Sequence, residues 1–158
     1  MHLEIERKFL VKGDFRQDVA NSFRIKQGYI AVNQGIAVRA RIMHMQGFIT
    51  IKSGYDKAGL SCSEWEKEIT ISEAERLLKI CETRVIDKIR YIVPLNGRVW
   101  EVDEFHGENL GLVIAEIELE SESDSFDKPY WLGREVTGEK RYYNSALSIN
   151  PYSTWRSV

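Results

Sequence analysis

The chain has 158 residues, a formal net charge of −2 and an isoelectric point near 6.0. With 43% hydrophobic and 29% charged residues, it has the composition of a globular protein, expected as one domain over residues 1–158. The near-neutral charge argues against a nucleic-acid binder. No apolar run approaches the roughly 18 residues of a membrane helix, and the first residues read as a strand rather than a leader, so a cytoplasmic protein off the membrane is expected.

The dominant hydrophobic period is two, the period of β-strands. In chain order, strands are expected at 2–11, 23–32, 36–44, 47–53, 63–71, 85–95, 98–106 and 112–121, with a short one near 134–137. Residues 14–21 and 123–128 read as short helices, the second ending before Pro129. Gly35 and Gly47 fall at turns, and Asn96-Gly97 is a hairpin signal. Residues 54–61 read as a mobile loop. Ser72-Glu73-Ala74-Glu75 reads as a capping box that opens a helix to about Cys81, with Leu77, Leu78 and Cys81 as its apolar stripe. A last helix over 140–148 is expected to bury Tyr143 and Leu147 before Asn150-Pro151 stops it. Cys62 and Cys81 match no zinc or redox spacing and are read as reduced thiols.

Many short strands with few helices point to an α+β fold that is mainly β. Its antiparallel sheet is best closed into a barrel to remove edges. Both strand faces are committed, one aliphatic and aromatic, the other ionic. Helices can cover the apolar face from outside, which leaves a charged lumen.

The ionic face carries the chemistry. In Glu4-Ile5-Glu6-Arg7-Lys8, the residues Glu4, Glu6 and Lys8 share one side. In Glu116-Ile117-Glu118-Leu119-Glu120 three carboxylates line one side, roughly 7 Å apart, and repel unless cations answer them. Read by parity, the basic groups of this face are Lys8, Arg24, Lys26, Arg39, Arg41, Lys52, Lys88 and Arg90. Its other acids are Glu64, Glu66, Glu68, Glu101 and Asp103. Arginine forks and lysine point charges suit phosphate oxygens, while carboxylates without histidine suit Mg²⁺ or Mn²⁺. Together they fit a metal-chelated polyphosphate. The competing reading is a solvated face of weak cross-strand ion pairs. His2, His44 and His106 are scattered, and no phosphate-binding loop or nucleophile signature is present.

Glu4-Ile5-Glu6-Arg7-Lys8 resembles the ExExK signature of the CYTH family, the triphosphate tunnel metalloenzymes. The likeness continues in order through Lys26-Gln27-Gly28-Tyr29, Arg39-Ala40-Arg41, Lys52, Glu64-Trp65-Glu66, Lys88-Ile89-Arg90-Tyr91, Asp103, Glu116 to Glu120, Glu135-Val136-Thr137 and Lys140-Arg141-Tyr142. It is greatest to the small bacterial single-domain members. The resemblance implies an eight-stranded antiparallel barrel forming a tunnel, a divalent metal (Mg²⁺ or Mn²⁺), and hydrolysis of tripolyphosphate or an organic triphosphate. It implies phosphate binding by Lys8, Lys26, Arg39, Arg41, Lys52, Lys88, Arg90 and Lys140. It implies metal binding by Glu4, Glu6, Asp103, Glu116, Glu118 and Glu120, and catalytic roles for Lys8, Tyr29, Glu64, Glu66 and Lys88. Ser63 or Cys62 stands where an arginine often precedes the Glu64-x-Glu66 pair. The alternatives are an adenylate cyclase, although no adenine-recognition signature is visible, and a non-catalytic polyphosphate or phosphoryl-ligand binder. A small-molecule partner is expected, with no nucleic acid and no membrane, and the aromatic surface around Tyr130-Trp131 could serve a homodimer.

Overall fold

The computed structural model describes residues 1–155; residues 156–158, the end of the expected domain, lie outside the described residues. Alternating residues build nine strands: β1 (His2–Val11), β2 (Asn21–Asn33), β3 (Ile36–Met43), β4 (Gln46–Ser53), β5 (Ser61–Ile69), β6 (Ile86–Leu95), β7 (Arg98–Phe105), β8 (Val113–Leu119) and β9 (Leu132–Glu135). Antiparallel pairing follows the order β5-β4-β3-β2-β6-β7-β8-β1-β9, and β1 also pairs with β5. The first eight strands therefore close into a barrel. The early half of β1 pairs with β5, and its last residues pair with β9, which is laid beside the barrel.

Tight turns fix the register of the hairpins. Gln34-Gly35 (φ 48° and 78°) and Asn96-Gly97 (φ 49° and 78°) place two successive residues in the left-handed region, as a type I′ turn requires. Between β3 and β4 the same conformation falls on His44 and Met45 (φ 54° and 61°). Gly47, expected at that turn, instead lies within β4, because its missing side chain is needed against a helix.

That helix is α1 (Ile71–Ile80), capped two residues earlier than expected. Thr70, rather than Ser72, is the N-cap: its hydroxyl accepts from the Glu73 amide (3.0 Å), and Glu73 accepts from the Thr70 amide (2.9 Å). Starting at Ile71 puts buried Ala74 in line with Leu77, Leu78 and Cys81, facing the outside of β2, β3 and β4. A Cβ on Gly47 would lie 2.7 Å from the Thr70 carbonyl oxygen and 2.8 Å from the Ala74 Cβ. One on Gly28 would lie 2.8 Å from the Cys81 Sγ.

The other expected helices are smaller. Residues 14–21 keep only a 3₁₀ turn at Arg16–Asp18. Residues 123–128 form no helix, because Asp124 accepts from the Glu120 and Ser121 amides and folds the chain into a turn. The stretch 140–148 splits into a 3₁₀ turn (Lys140–Tyr142) and α2 (Asn144–Leu147), separated by extended Tyr143 (φ −68°, ψ 138°). That break buries Tyr142 with Leu147 and leaves Tyr143 half-buried.

The apolar core sits mainly outside the barrel wall. Phe9, Trp100, Val102, Ala115 and Ile117 pack beneath Phe15 and Trp131, with Phe9, Trp100 and Trp131 in edge-to-face contact. A second cluster closes part of one barrel end. Ile86, Phe105 and Ile114 meet Val136, Tyr142 and Leu147 of the C-terminal stretch there. We predict that Gly47→Val, which drives a side chain into α1, lowers stability by about 1–3 kcal/mol in urea denaturation. Gly35→Asn is expected to cost less, about 1 kcal/mol or under, since nothing lies within 4 Å and asparagine tolerates the left-handed φ of 78° better than other side chains.

Candidate active site

Cross-strand register decides which parity points inward. The pairs Lys8–Glu116, Lys88–Ile25, Gln27–Arg41, Tyr29–Arg39 and Lys52–Glu64 share the inner face. They surround a cavity of about 940 Å³ that runs from Phe23 and Met43 at one end to Tyr55 and Tyr143 at the other. Of the residues expected at the site, Glu4, Glu6, Lys8, Tyr29, Arg39, Arg41, Lys52, Glu64, Lys88, Arg90, Glu116 and Lys140 line this cavity.

Five others do not. Lys26 pairs with Asp87 on the outer face and is exposed; Arg24 lies beside it, its fork donating to Asp87 (2.5 and 2.8 Å). The inner positions of β2 belong to Ile25, Gln27 and Tyr29, so counting the charges of this strand chose the wrong parity. Asp103 has the inner parity, opposite Arg90, but is buried beneath Arg90 and Lys88 and does not line the cavity. Its Oδ1 accepts from Arg90 Nε (2.7 Å), and its Oδ2 accepts from Arg90 Nη2 (2.8 Å) and Lys88 Nζ (2.7 Å). With both oxygens so engaged, its geometry suits orientation of those cations rather than metal ligation. Glu66 turns to Arg41 (3.1 Å) and to the Thr50 hydroxyl (2.7 Å), which in turn accepts from Arg39 (3.2 Å). Glu118 has the inner parity but reaches only the open rim, 3.2 Å from His2. Glu120 is exposed beyond the end of β8.

The structure also adds groups. Thr50 shares the parity of Lys52, a signal available in the sequence. Glu101 lines the cavity and accepts from Arg90 (2.8 Å). Asn144 carries no such signal: α2 brings it into the lumen, where its Oδ1 accepts from Lys88 Nζ and Gln27 Nε2 (both 3.0 Å). Residues 54–60 are docked over one mouth, with Tyr55 stacked on Tyr143 (ring centroids 5.6 Å apart). Asp56 accepts from the Leu60 and Ser61 amides, tightening that loop. Lys8 Nζ lies 5.2 Å from the Tyr143 ring centre.

Lys52 donates to Glu4 (2.6 Å) and lies 3.5 Å from Glu64, and Lys8 lies 3.5 Å from Glu116. Among the described residues Glu6 has no cation within ion-pair distance. Burial first, and then Glu116, push its carboxyl up to about 8. Burial also pulls Lys88 down to about 8 against the attraction of Asp103. Arg41 is lowered to about 10 by burial and by neighbouring Arg39 and Arg90. Like charges are thus held together at the middle of the lumen, an arrangement that a bound anion and cation relieve. The all-oxygen donor set of Glu4, Glu6 and Glu116 fits a hard divalent cation. No three carboxylate, histidine or thiol groups among the described residues are already gathered into a cage.

The sequence matches the CYTH domain family over residues 2–148. The chain belongs to the CYTH family. An inorganic triphosphatase of Acetivibrio thermocellus is 47% identical over 157 residues, covering 99% of both chains. One of Nitrosomonas europaea is 37% identical over 151 residues, 93% of this chain and 97% of that one. A crystal structure of an inorganic triphosphatase superposes with a TM-score of 0.68 at 35% identity, covering 92% and 97% of the two chains. A Hippeastrum protein described as a putative adenylyl cyclase with dominant triphosphatase activity shares the CYTH fold at a TM-score of 0.59. It is 15% identical and covers 75% of this chain and 80% of its own.

The sign of the pH response follows from the lumen. Below about pH 8 Lys88 is charged and Glu6 is neutral; above it Lys88 loses its charge and Glu6 gains one. Both changes weaken anion binding. Sulfate, whose charge is constant in this range, is expected to bind the metal-free protein more tightly at about pH 7 than at about pH 9 when followed by amide NMR shifts. Lys88→Met should reduce that dependence to the part carried by Glu6.

Proposed function

We propose that this protein hydrolyses a triphosphate, with inorganic tripolyphosphate as its substrate, using a divalent metal, Mg²⁺ or Mn²⁺. The observation that carries the reading is the convergence of Lys8, Arg39, Arg41, Lys52, Lys88 and Arg90 on one cavity that also holds the Glu4, Glu6 and Glu116 carboxylates. The two inorganic triphosphatase relatives support it.

Phosphoryl transfer asks a protein mainly for positioning and for charge complementary to the transition state. Arg39, Arg41, Lys88 and Arg90 bind the phosphate oxygens, and their orientation is held by Glu66, Thr50, Asp103 and Glu101. Lys8 and Lys52 face the carboxylates and bind the same chain of phosphates, with Tyr29 on the same cavity wall opposite Arg39. Glu4, Glu6 and Glu116 would hold the metal, with Glu118 at the rim, and a divalent cation there would supply positive charge that offsets the charge of the triphosphate. Glu64 lines the cavity whereas Glu66 is engaged by Arg41 and Thr50, so we assign Glu64 the proton of the attacking water. Water oxygen bonds to the terminal phosphorus, the bond to the bridging oxygen breaks, and orthophosphate and pyrophosphate leave. Lys88 and Lys140 offset charge on the departing group.

The protein is proposed to be cytoplasmic and to act on a small molecule, not on nucleic acid or a membrane. No helix among the described residues is long and apolar enough to cross a membrane. Tyr130 is exposed while Trp131 is a core residue, so a homodimer through that face would rest on Tyr130 alone; light scattering measures it.

The test is phosphate release from tripolyphosphate, ATP, thiamine triphosphate and pyrophosphate with each metal. Tripolyphosphate is expected to be the best substrate. Cyclic AMP from ATP would indicate the cyclase reading, and binding without any product would indicate a phosphoryl-ligand receptor. Glu6→Gln and Lys52→Ala are each expected to lower kcat about a hundredfold or more with circular dichroism unchanged. Wild-type rates in both would sink the assignment.

A further inference from the structure

Of the cavity carboxylates offered to the metal, Glu4 and Glu116 are already near a cation offered to phosphate, whereas Glu6 is not. Glu4 accepts from Lys52 at 2.6 Å, with the Cys62 thiol 3.5 Å away on the same oxygen. Glu64 lies 3.5 Å from the same Lys52 ammonium. Glu116 lies between Lys8 (3.5 Å) and Arg90 (4.0 Å). Lys52 is therefore the cation shared by the metal-wall acid Glu4 and by Glu64, in a setting where the low dielectric strengthens each contact.

We propose that Lys52 is a placeholder for the divalent cation: it neutralises Glu4 and Glu64 until metal and triphosphate arrive, and then passes from carboxylate to phosphate. This rests on the reading of the lumen as a site for a metal-chelated triphosphate. A metal entering alone must compete with the ammonium for Glu4 and strand it among Arg39 and the other lumen cations. A triphosphate entering alone must compete with Glu4 for the ammonium and strand the carboxylate beside Glu6. Arriving together, each ligand releases the group the other requires, so the two bind with positive coupling. Linkage makes that coupling equal from either side. The absence of a gathered carboxylate cage among the described residues fits a metal site completed only when its ammonium is drawn off.

Two binding measurements test this without turnover. Mn²⁺ binding to metal-stripped, phosphate-free protein is read from the free-ion electron paramagnetic resonance signal. Lys52→Met is expected to bind Mn²⁺ about tenfold more tightly than wild type. Lys140→Met removes an equal charge from the same cavity but outside the Glu4 pair, and is expected to shift affinity by about twofold or less. Conversely, Glu4→Gln releases Lys52 and should bind metal-free tripolyphosphate about tenfold more tightly in calorimetry. Equal shifts in the two lysine variants would reduce the effect to long-range charge and overturn the proposal. So would unchanged or weaker Mn²⁺ binding by Lys52→Met, or unchanged or looser anion binding by Glu4→Gln. The triphosphatase reading fails by a different sign: a wild-type protein that binds both ligands and releases no phosphate.

Discussion

A closed barrel has one interior, and in this protein the middle of that interior is ionic. Lys88 and Asp103, 2% and 1% exposed, meet at 2.7 Å inside it. A charge buried without a partner is far costlier than one in water. Most lumen charges are consequently tied to another: Arg90 to Asp103 and Glu101, Arg41 to Glu66, Lys52 to Glu4. The network is what allows eight strands to close around charges at all. The two places where it is poorly balanced, Glu6 and the crowded Arg39–Arg41 pair, are the places where a cation and an anion have most to offset.

Because the interior is ionic, the hydrophobic core moves elsewhere. The outer faces of β1, β6, β7 and β8 are covered by Phe15 and Trp131, and α1 covers β2, β3 and β4 from outside. Apolar residues re-enter the barrel in a second cluster, where Ile86, Phe105 and Ile114 are sealed by Tyr142 and Leu147. The catalytic candidates thus project from paired strands braced on their outer side. That is a stiffer support than loops, and it suits a reaction whose catalysis is mostly placement of charge. Asn144 shows how the sealing stretch also serves the site, since α2 delivers the acceptor that Lys88 and Gln27 share.

The strand pattern was legible because alternation is local: Glu4, Glu6 and Lys8, or Lys88 and Arg90, declare a shared face without knowledge of any neighbour. Hairpins were legible where Asn96-Gly97 and Gly35 supply left-handed backbone. Other features depended on partners far along the chain. Arg24 and Lys26 look like lumen charges until pairing with β6 sets the parity of β2. Glu118 has the correct parity yet sits at the rim, because height in a barrel comes from strand tilt and stagger. Gly47 looked like a turn residue until α1 was seen to need its bare backbone.

Residue order therefore specified the strands, the segregation of charge from apolar side chains, and the family to which those motifs belong, since each follows from period and spacing along the chain. Only closure of the barrel decided which charges face one another, which of them reach the cavity, and that Asp103 is buried beneath Lys88 and Arg90, where it braces both. Those outcomes depend on distances across the lumen between segments far apart in the chain, and no local pattern encodes them.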